Sequence, residues 1–198
     1  MSAPSSIQSL PTDQVYECHG DLVVRTARPT DAELIAGYFI ANREHLKPWE
    51  PVRDDLFYTP NAWFQRLIKL RELHTHALGY YLILLDKPTG TMIGTVSFSQ
   101  LTRFPFYACT VGYSLAQEWQ GRGVMPIALK IACRFMFDQQ NMHRIMAAYM
   151  PRNVRSASVL NKLGFVHEGV AAKYLLIDGV WEDHNLTSLI NPNWRAIS

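Results

Sequence analysis

The feature that most constrains this fold is a glycine-containing turn between a strand pattern and a helix pattern, within Val111–Phe135. β-forming and small residues alternate up to about Leu115, which predicts a strand, and apolar residues recur at helical spacing from Val124 onward. Between these patterns the chain reads Gln-Gly-Arg-Gly-Val-Met at positions 120–125, followed by Pro126. Glycine permits a tight turn, and proline fits the first turn of a helix, where no amide hydrogen bond is lost. The stretch therefore predicts a strand, a sharp turn and a long helix.

The same turn predicts a binding site for a phosphate group. The first amide groups of a helix have no partner within the helix, and the helix dipole adds positive charge there. Arg122 adds a further positive charge. The turn lacks the third glycine of the dinucleotide fingerprint and the Gly-Lys-Ser/Thr ending of the P-loop. We interpret it as a pyrophosphate-binding turn of another kind, with an ordinary strand–helix connection as the alternative.

Length and composition indicate a single globular domain without an extended basic surface. A chain of 198 residues that is 48% hydrophobic and 18% charged can bury a sizeable core. Its net charge of +2 does not argue for a nucleic-acid or membrane surface. No secretory signal and no apolar run of about 20 residues is present, so we expect a cytoplasmic protein.

The cysteines and histidines do not predict a metal site. Cys109 and Cys133 lie in apolar segments, far apart and in no ligand spacing, so we expect both in the core. His74 and His76 are two residues apart in a helical pattern and cannot share one face, so we expect them at the surface.

The rest of the chain predicts strands and helices in the order β-α-α-β-β-β-α-β-α-β-β. Thr30 and Thr59 are candidate N-caps of the first two helices. Gly164 is expected to end a short helix that begins near Asn153, and Asp178-Gly179 predicts a hairpin between the last two strands. This order predicts an α/β (α+β) fold with a mixed, mostly antiparallel sheet of about seven strands and helices on both faces.

Two motifs resemble the coenzyme A-binding elements of the GNAT superfamily of N-acetyltransferases. The turn matches the pattern Gln/Arg-x-x-Gly-x-Gly/Ala, with Gln120, Gly123 and Met125 at its fixed positions. Met125 departs from the small residue that is usual at the last position. Downstream, the segment from Asn153 to Phe165 resembles the Asn-x-x-(Ala/Ser)…Gly-Phe helix that lies beside the pantetheine arm in that family.

The resemblance covers most of the chain and implies both the fold and the cofactor. It implies a GNAT domain at residues 21–190, an N-terminal tail or edge segment at 1–20 and a C-terminal tail at 191–198. It also implies acetyl-coenzyme A as the donor, with no metal. The residues implied to bind coenzyme A are Leu115, Gln120, Gly121, Arg122, Gly123, Val124, Met125, Asn153 and Ser156.

Further segments, including Leu46–Val52 and Tyr174–Gly179, resemble the branch of the family that acetylates the N-terminal alanine of a small-subunit ribosomal protein. This implies a ribosomal-protein N-terminus as the partner, free or on the ribosome, with Trp49, Glu50 and Tyr113 as acceptor-binding residues. Trp49 is expected to form an aromatic wall, with a hydrophobic staple between two helices as the alternative. Four carboxylates near it would attract a basic terminus, or form an ordinary solvated loop: Glu44, Glu50, Asp54 and Asp55.

Acetyl transfer requires a neutral amine, a polarised thioester carbonyl and a proton donor for the leaving thiolate. An α-amino group has a pKa of about 7.7–8.0 against about 10.4 for lysine, so a modest base or a water relay suffices. Many relatives place a tyrosine acid at the position of Leu160, so Ser156 is the nearest candidate here, with binding of a pantetheine amide as the equal alternative. Glu118 and Glu168 are the candidate bases, ahead of the acidic and histidine side chains on the last strand.

Two other functions remain open on these residues. One is acetylation of a small-molecule amine such as a polyamine or an amino sugar. The other is a coenzyme A-binding factor for ribosome assembly with little catalysis, because Leu160 replaces the usual tyrosine.

Overall fold

The computed structural model describes residues 14–196, and its centre is one eight-stranded sheet. The strand order across the sheet is β1-β2-β3-β4-β5-β6-β8-β7, and every pairing is antiparallel except that of β5 with β6. The strands are β1 (Tyr16–His19), β2 (Leu22–Thr26), β3 (Tyr80–Asp86), β4 (Met92–Thr102), β5 (Ala108–Leu115), β6 (Arg144–Tyr149), β7 (Val166–Ile177) and β8 (Val180–Ile190).

The predicted mixed, mostly antiparallel sheet is confirmed. The additional strand is β1, an edge strand that pairs with β2 inside the segment predicted as a tail or edge segment. The division of the chain into two tails and a domain stays a prediction. Near the C-terminus Trp194 packs against the chain: its indole nitrogen donates to the Asn141 carbonyl at 3.1 Å, and its ring centroid lies 5.1 Å from that of Tyr107.

Helices cover both faces of the sheet. One face carries α1 (Ala32–Ala41), α2 (Arg43–Leu46) and α3 (Pro60–Thr75), and the other carries α4 (Val124–Asp138) and α5 (Val154–Lys162). Short 3-10 turns occupy Pro29–Asp31, Lys47–Trp49, Asp55–Tyr58 and Gln117–Trp119. No helix within residues 14–196 is long and apolar enough to cross a membrane.

The sheet separates two hydrophobic clusters because side chains alternate along a strand. On β3, Leu82 and Leu84 pack into the cluster under α4, whereas Ile83 between them packs into the cluster under α1 and α3. In the second cluster the rings of Phe39 and Trp63 stack with centroids 5.2 Å apart. Burial of each such side chain contributes about 1.5–3 kcal/mol. The two clusters therefore fix both helix layers against the sheet.

The predicted ends of two helices are confirmed. The Thr59 hydroxyl accepts from the Ala62 amide at 3.3 Å at the start of α3. After α5 the chain turns through Gly164 at a φ of 84°, and the amide of Phe165 donates back to the carbonyl of Leu160. This left-handed turn is the helix ending that glycine favours.

The expectation that Thr30 caps the first helix is wrong. A 3-10 turn precedes α1, Thr30 is exposed, and the Asp31 carboxylate accepts from the Arg28 amide at 2.7 Å. The guanidinium of Arg25 also donates to both oxygens of Asp31 at 2.7 Å. A carboxylate with a bidentate cation forms stronger hydrogen bonds than a threonine hydroxyl, so Asp31 takes the position at the helix start.

The expectation that His74 lies at the surface is also wrong, whereas the expectation that Cys109 and Cys133 lie in the core is confirmed. His74 is buried, with its ring centroid 4.7 Å from that of Tyr80, because the end of α3 packs over the start of β3. His76 is exposed. Cys109 and Cys133 are buried in the cluster under α4.

Candidate active site

The site lies where the two parallel strands of the sheet separate. β5 and β6 pair at three positions only: Ala108 with Arg144, Cys109 with Ile145, and Thr110 with Met146. Beyond these pairs β5 continues beside β4, and β6 continues beside β8. A gap therefore opens between the carboxyl ends of the parallel strands. The turn before α4 follows β5, and α5 follows β6, so both predicted cofactor motifs begin at this gap.

The glycine turn has the conformation that a phosphate site requires. Gly121 and Gly123 have φ values of 74° and 75°, which other residues adopt only at a cost. Gly123 is the N-cap of α4 and supplies no side-chain cap. No described residue comes within 4 Å of a side chain built at either glycine. The helix start is therefore open to an anion, and the residues present fit a pyrophosphate.

The side chains of the turn are arranged around these exposed amides. Arg122 lies over the Trp119 ring, 5.0 Å from its centroid, and leaves a positive charge at the surface beside the helix start. Met125 is buried in the core, so it can offer a ligand its backbone alone. This explains how a bulky residue takes the place of glycine or alanine there, because its side chain points away from the turn.

Gln120 is held by a residue that sequence reasoning missed. The side-chain amide nitrogen of Gln120, Nε2, lies 2.9 Å from the Nε2 atom of His45, a residue of α2. Burial lowers the pKa of His45, opposed by a hydrogen bond to the backbone of Leu115, and the charge of Arg155 lowers it further. A neutral His45 can accept from Gln120 and donate to Leu115, which ties α2 to the end of β5 and to the turn. The side-chain oxygen of Gln120 is buried without a partner among the described residues.

A hydroxyl pair crosses the gap from β5 to α5. The Tyr113 hydroxyl lies 2.7 Å from the Ser156 hydroxyl. The Asn153 side chain accepts from the Ser156 amide at 3.1 Å, which fixes the start of α5. Burial raises the pKa of Tyr113 to about 12, although its hydrogen bond with Ser156 opposes that shift. Tyr113 thus stays protonated near neutral pH. It lies with Ser156 on the α4 face of the sheet, away from Trp49 and Glu50, with which it was grouped as an acceptor-binding residue.

A second group of hydroxyls lies on the opposite face of β5. The Ser114 hydroxyl is 2.9 Å from that of Tyr38 on α1 and 3.0 Å from that of Thr95 on β4. Burial raises the pKa of Tyr38, and the negative charge of Glu50 raises it further. Neighbouring residues of β5 therefore present hydroxyl groups to both sides of the sheet beside the gap.

Glu50 lies in the segment Leu46–Val52, which is predicted to bind the acceptor (the acceptor loop), and is largely buried. Its side chain is 22% exposed, and its Oε2 atom lies 3.6 Å from Nε of Arg53. Burial raises the pKa of Glu50, against the lowering effects of Arg53 and of Arg66. The carboxylate borders a cavity of about 290 Å³ that is also lined by Glu44 and Asp178.

The loop that carries Trp49 is attached to the other end of the chain. The Arg152 guanidinium lies 5.1 Å from the centre of the Trp49 ring, donates to the Pro48 carbonyl at 3.3 Å and pairs with Glu182 at 2.8 Å. The amide of Asp178, in the turn between β7 and β8, donates to the Glu50 carbonyl at 3.0 Å. The acceptor loop is therefore held between the start of α5 and the final hairpin.

The four acidic residues near Trp49 do not form one patch. The Asp54 carboxylate accepts from the Phe57 amide at 2.9 Å, and Asp55 pairs with Arg43 at 3.1 Å. Glu44 and Glu50 face the cavity. Two of the four carboxylates are thus used in local hydrogen bonds, and two can meet a ligand.

The two candidate bases, Glu118 and Glu168, lie in different surroundings. Glu118 is exposed on the 3-10 turn after β5. Glu168 accepts from the Ser188 hydroxyl at 2.7 Å and forms an ion pair with Arg144, which lies at the closed end of the parallel pair. These hydrogen bonds lower the pKa of Glu168, so it is a weaker base than an ordinary carboxylate.

The acidic and histidine side chains of the last strand also have structural partners. Asp183 accepts from the Lys173 amide at 2.7 Å. His184 is buried, with Nδ1 3.0 Å from the Glu182 carbonyl.

The fold and this site define an acetyltransferase, and comparison with known proteins gives the family. The family model described as "Acetyltransferase (GNAT) domain" matches residues 21–166, and the chain belongs to this family. It is similar to the [Ribosomal protein uS5]-alanine N-acetyltransferase of Escherichia coli (strain K12), with 48% identity over 87% of this chain and 89% of that protein. The predicted family is thereby confirmed, and its members use acetyl-coenzyme A.

Two solved structures are similar throughout the fold. The ribosomal-protein-S5-alanine acetyltransferase of Vibrio fischeri superposes with a TM-score of 0.90 and 53% identity, over 92% of this chain and 100% of that one. RimJ of Mycobacterium smegmatis, solved in complex with CoA-disulfide, superposes with a TM-score of 0.80 and 28% identity, over 85% of this chain and 81% of that one.

Proposed function

We propose that this protein transfers the acetyl group of acetyl-coenzyme A to the N-terminal alanine of the small-subunit ribosomal protein uS5. The observation that carries the proposal is 48% identity, over 87% of this chain, to a protein named for that reaction. The Vibrio fischeri relative, at 53% identity, is named for the same substrate. Such a substrate implies action in the cytoplasm and contact with a ribosomal protein, free or on the ribosome.

The glycine turn would hold the pyrophosphate of coenzyme A. Supporting observations are the left-handed glycines, the uncapped start of α4 and the charge of Arg122 beside it. The amides of Gly121, Gly123 and Val124 are the donors, and Leu115 and Asn153 lie at the ends of the elements that border the gap. Coenzyme A bound there supplies a thioester as the acetyl donor.

Ser156 would assist the departure of the sulfur. Ser156 lies in the first turn of α5, at the gap, and its hydroxyl is 2.7 Å from the Tyr113 hydroxyl. In this arrangement the phenol of Tyr113 donates to Ser156, and Ser156 donates to the developing thiolate. Tyr113 is then a positioning residue, and it replaces part of what a tyrosine at position 160 would supply in relatives. Leu160 itself is buried in the core.

The acceptor would enter past Trp49 and Glu50. These residues lie in a loop held by Arg152 and by the final hairpin, beside the cavity of about 290 Å³. An N-terminal amine suits this enzyme because its pKa of about 7.7–8.0 leaves a sizeable neutral fraction at physiological pH.

The direct test is to incubate the protein with acetyl-coenzyme A and a peptide with the N-terminal sequence of uS5. We expect release of free thiol and the gain of one acetyl group on the α-amine, measured by mass spectrometry. A peptide whose α-amine is already acetylated but which keeps a lysine is the matched control, and it should not react. Turnover of a polyamine or an amino sugar without the peptide would contradict the proposal, as would coenzyme A binding without any product.

A further inference from the structure

Glu50 lies in the loop before α3, on the α1 face of the sheet, and is better placed to take a proton from an acceptor than Glu118 or Glu168. We propose that Glu50 is the catalytic base, which receives the α-ammonium group of the acceptor chain and removes a proton from it. The inference rests on the proposed function, because it requires a terminal amine as the nucleophile.

The position of Glu50 gives it access to an acceptor from outside. Its carboxylate lies on the wall of the cavity of about 290 Å³, whose other walls include Phe39, Leu46, Tyr58 and Asp178. This volume is near the lower limit of about 300 Å³ for small-molecule pockets, so it accommodates the first residues of a chain and not a folded segment. Its walls combine apolar and aromatic side chains with charged ones of both signs, so they can contact a small apolar side chain and a charged terminus together.

Glu50 lies on the same side of the sheet as the hydroxyl groups that meet at Ser114, because it lines the cavity together with Phe39 and Leu46 of the cluster under α1 and α3. Burial raises the pKa of Tyr38 on α1, and the negative charge of Glu50 raises it further. The Tyr38 hydroxyl in turn lies 2.9 Å from that of Ser114, on the strand that borders the gap. Glu50 therefore lies on the side of β5 from which an acceptor in this cavity would approach the thioester.

The charges around Glu50 are balanced so that it stays a usable base. Burial raises its pKa, which strengthens the carboxylate as a proton acceptor, and Arg53 on the same loop opposes the shift. The other titratable and charged groups that face it or its cavity come from α1, α2, α3, β3, the 3-10 turns before and after Glu50 and the hairpin turn: Tyr38, Arg43, Glu44, Lys47, Tyr58, Arg66, Tyr81 and Asp178. A protonated α-amine adds one cation to a site that holds this carboxylate out of bulk water.

The proton balance of the step is closed by groups already described. One proton moves from the α-ammonium nitrogen to a Glu50 oxygen and leaves a lone pair on nitrogen. That nitrogen bonds to the acetyl carbonyl carbon, the carbon–sulfur bond breaks, and its electron pair stays on sulfur. The second nitrogen proton neutralises the sulfur through the Ser156 hydroxyl. Glu50 then releases its proton to water, so one proton is produced for each acetyl group transferred.

The test is the pH dependence of kcat/KM for the uS5 peptide in the unmodified protein, in Glu50→Gln and in Glu72→Gln. Glu72 is exposed on α3 and does not line the cavity, so its substitution is a matched change of charge outside the site. We expect Glu50→Gln to lose roughly 100-fold at pH 7. Its activity should then rise only as the amine itself loses a proton, around pH 7.7–8.0, so that the deficit shrinks to about 10- to 20-fold at pH 9.5. Glu72→Gln should keep the unmodified profile.

An equal loss at both pH values, or an unchanged profile, would overturn the role of Glu50. Coenzyme A affinity by calorimetry and the melting temperature of Glu50→Gln should match those of the unmodified protein. If that variant does not fold, Arg53→Gln provides the test: loss of its charge should raise the pKa of Glu50 and move the acid limb of the profile to higher pH. A limb that does not move contradicts the inference. Failure of the unmodified protein to acetylate the peptide would instead overturn the proposed function, and this inference with it.

Discussion

At the scale of single residues, the two glycines of the turn before α4 combine a left-handed backbone conformation with open space around them. Gly123 has a φ of 75°, a backbone conformation that glycine adopts at little cost and most other residues do not. No described neighbour lies within 4 Å of a Cβ atom built there, which leaves room at the start of α4. Both properties concern the backbone, and both are needed if several amides are to reach one anion.

We therefore expect Gly123→Asp to weaken coenzyme A binding by about 100-fold or more. A carboxylate about 4 Å from a phosphate charge costs on the order of 4 kcal/mol at an effective dielectric constant of 20. Isothermal calorimetry with coenzyme A measures the effect. Gly20→Asp is the control, because Gly20 also has a positive φ of 57° and open surroundings but lies in the edge hairpin of β1 and β2. Unchanged affinity in Gly123→Asp would contradict the assignment of the turn.

The proposed role of Ser156 predicts that loss of its hydroxyl lowers turnover more than it weakens coenzyme A binding. If it donates to the thiolate, Ser156→Ala should lower kcat by roughly 10- to 100-fold while the Kd for coenzyme A changes less than about threefold. Tyr113→Phe should lower kcat by a smaller factor, because it removes the phenol hydroxyl that shares a hydrogen bond with Ser156. Ser158→Ala, at an exposed position on the same helix, should leave both quantities unchanged. Parallel losses in kcat and affinity in Ser156→Ala would instead assign its hydroxyl to cofactor binding.

At the scale of secondary structure elements, α1 begins at a buried ion pair. Asp31 joins the Arg28 amide to the Arg25 guanidinium of β2, with side chains that are 9% and 13% exposed for Asp31 and Arg25. Burial acts to raise the pKa of Asp31, but the hydrogen bonds and charge of Arg25 and the Arg28 amide outweigh it, so the pKa is lowered. The start of α1 is thereby attached to the sheet.

We expect Asp31→Asn to destabilise the fold by about 3–5 kcal/mol, because it leaves the buried charge of Arg25 without its partner. Asp55→Asn is the control, since its pair with Arg43 is exposed and should contribute little. Chemical denaturation measures both. Because the folded-state pKa of Asp31 is lowered, its contribution is complete above the ordinary aspartate pKa of about 3.9 and is lost as the pH falls through the lowered value. The difference between the unmodified protein and Asp31→Asn should therefore shrink in acid, and a difference that grew there would contradict this account.

Most elements could be predicted because their signals are local. β-forming residues at positions 80–86 predict a strand, which is observed as Tyr80–Asp86, and the glycine and proline signals around α4 and α5 mark real helix ends. The pattern after Phe165 predicts a strand to about Lys173, but β7 continues to Ile177, because its pairing with β8 resumes at Leu175 after a register shift. The sequence pattern breaks at such a shift, although the two strands pair again beyond it.

At the scale of the whole molecule, the acceptor loop depends on contacts between distant parts of the chain. Arg152 reaches the Pro48 carbonyl and Glu182 at once, and the Asp178 amide donates to Glu50. The loop before α3 is thus supported by residues that come after α4 in the chain.

We expect Arg152→Met to raise the KM for the uS5 peptide several-fold, because it removes a charge-assisted contact that is worth about 1.5–3 kcal/mol at most when fully formed. The Kd for coenzyme A should stay within about twofold, since Arg152 contacts the acceptor loop and not the glycine turn. Steady-state kinetics and calorimetry on the same preparation separate the two effects. Lys162→Met, which removes an exposed cation from the end of α5, is the control and should change neither. A weaker coenzyme A affinity with an unchanged peptide KM would show that Arg152 acts elsewhere.

The sequence alone determined the strand, the glycine turn and the helix at the centre of the fold, because left-handed backbone, helix caps and hydrophobic periodicity are encoded within a few residues. Only the tertiary structure brought together groups that are far apart in the chain. Tyr113 meets Ser156 across 43 residues, and His45 meets Gln120 across 75. The same packing joined the Glu50 carbonyl to the Asp178 amide and paired Glu168 with Arg144 at the closed end of the parallel strands. Which carboxylate is free to take a proton depends on sheet topology and burial, and local spacing carries no record of either.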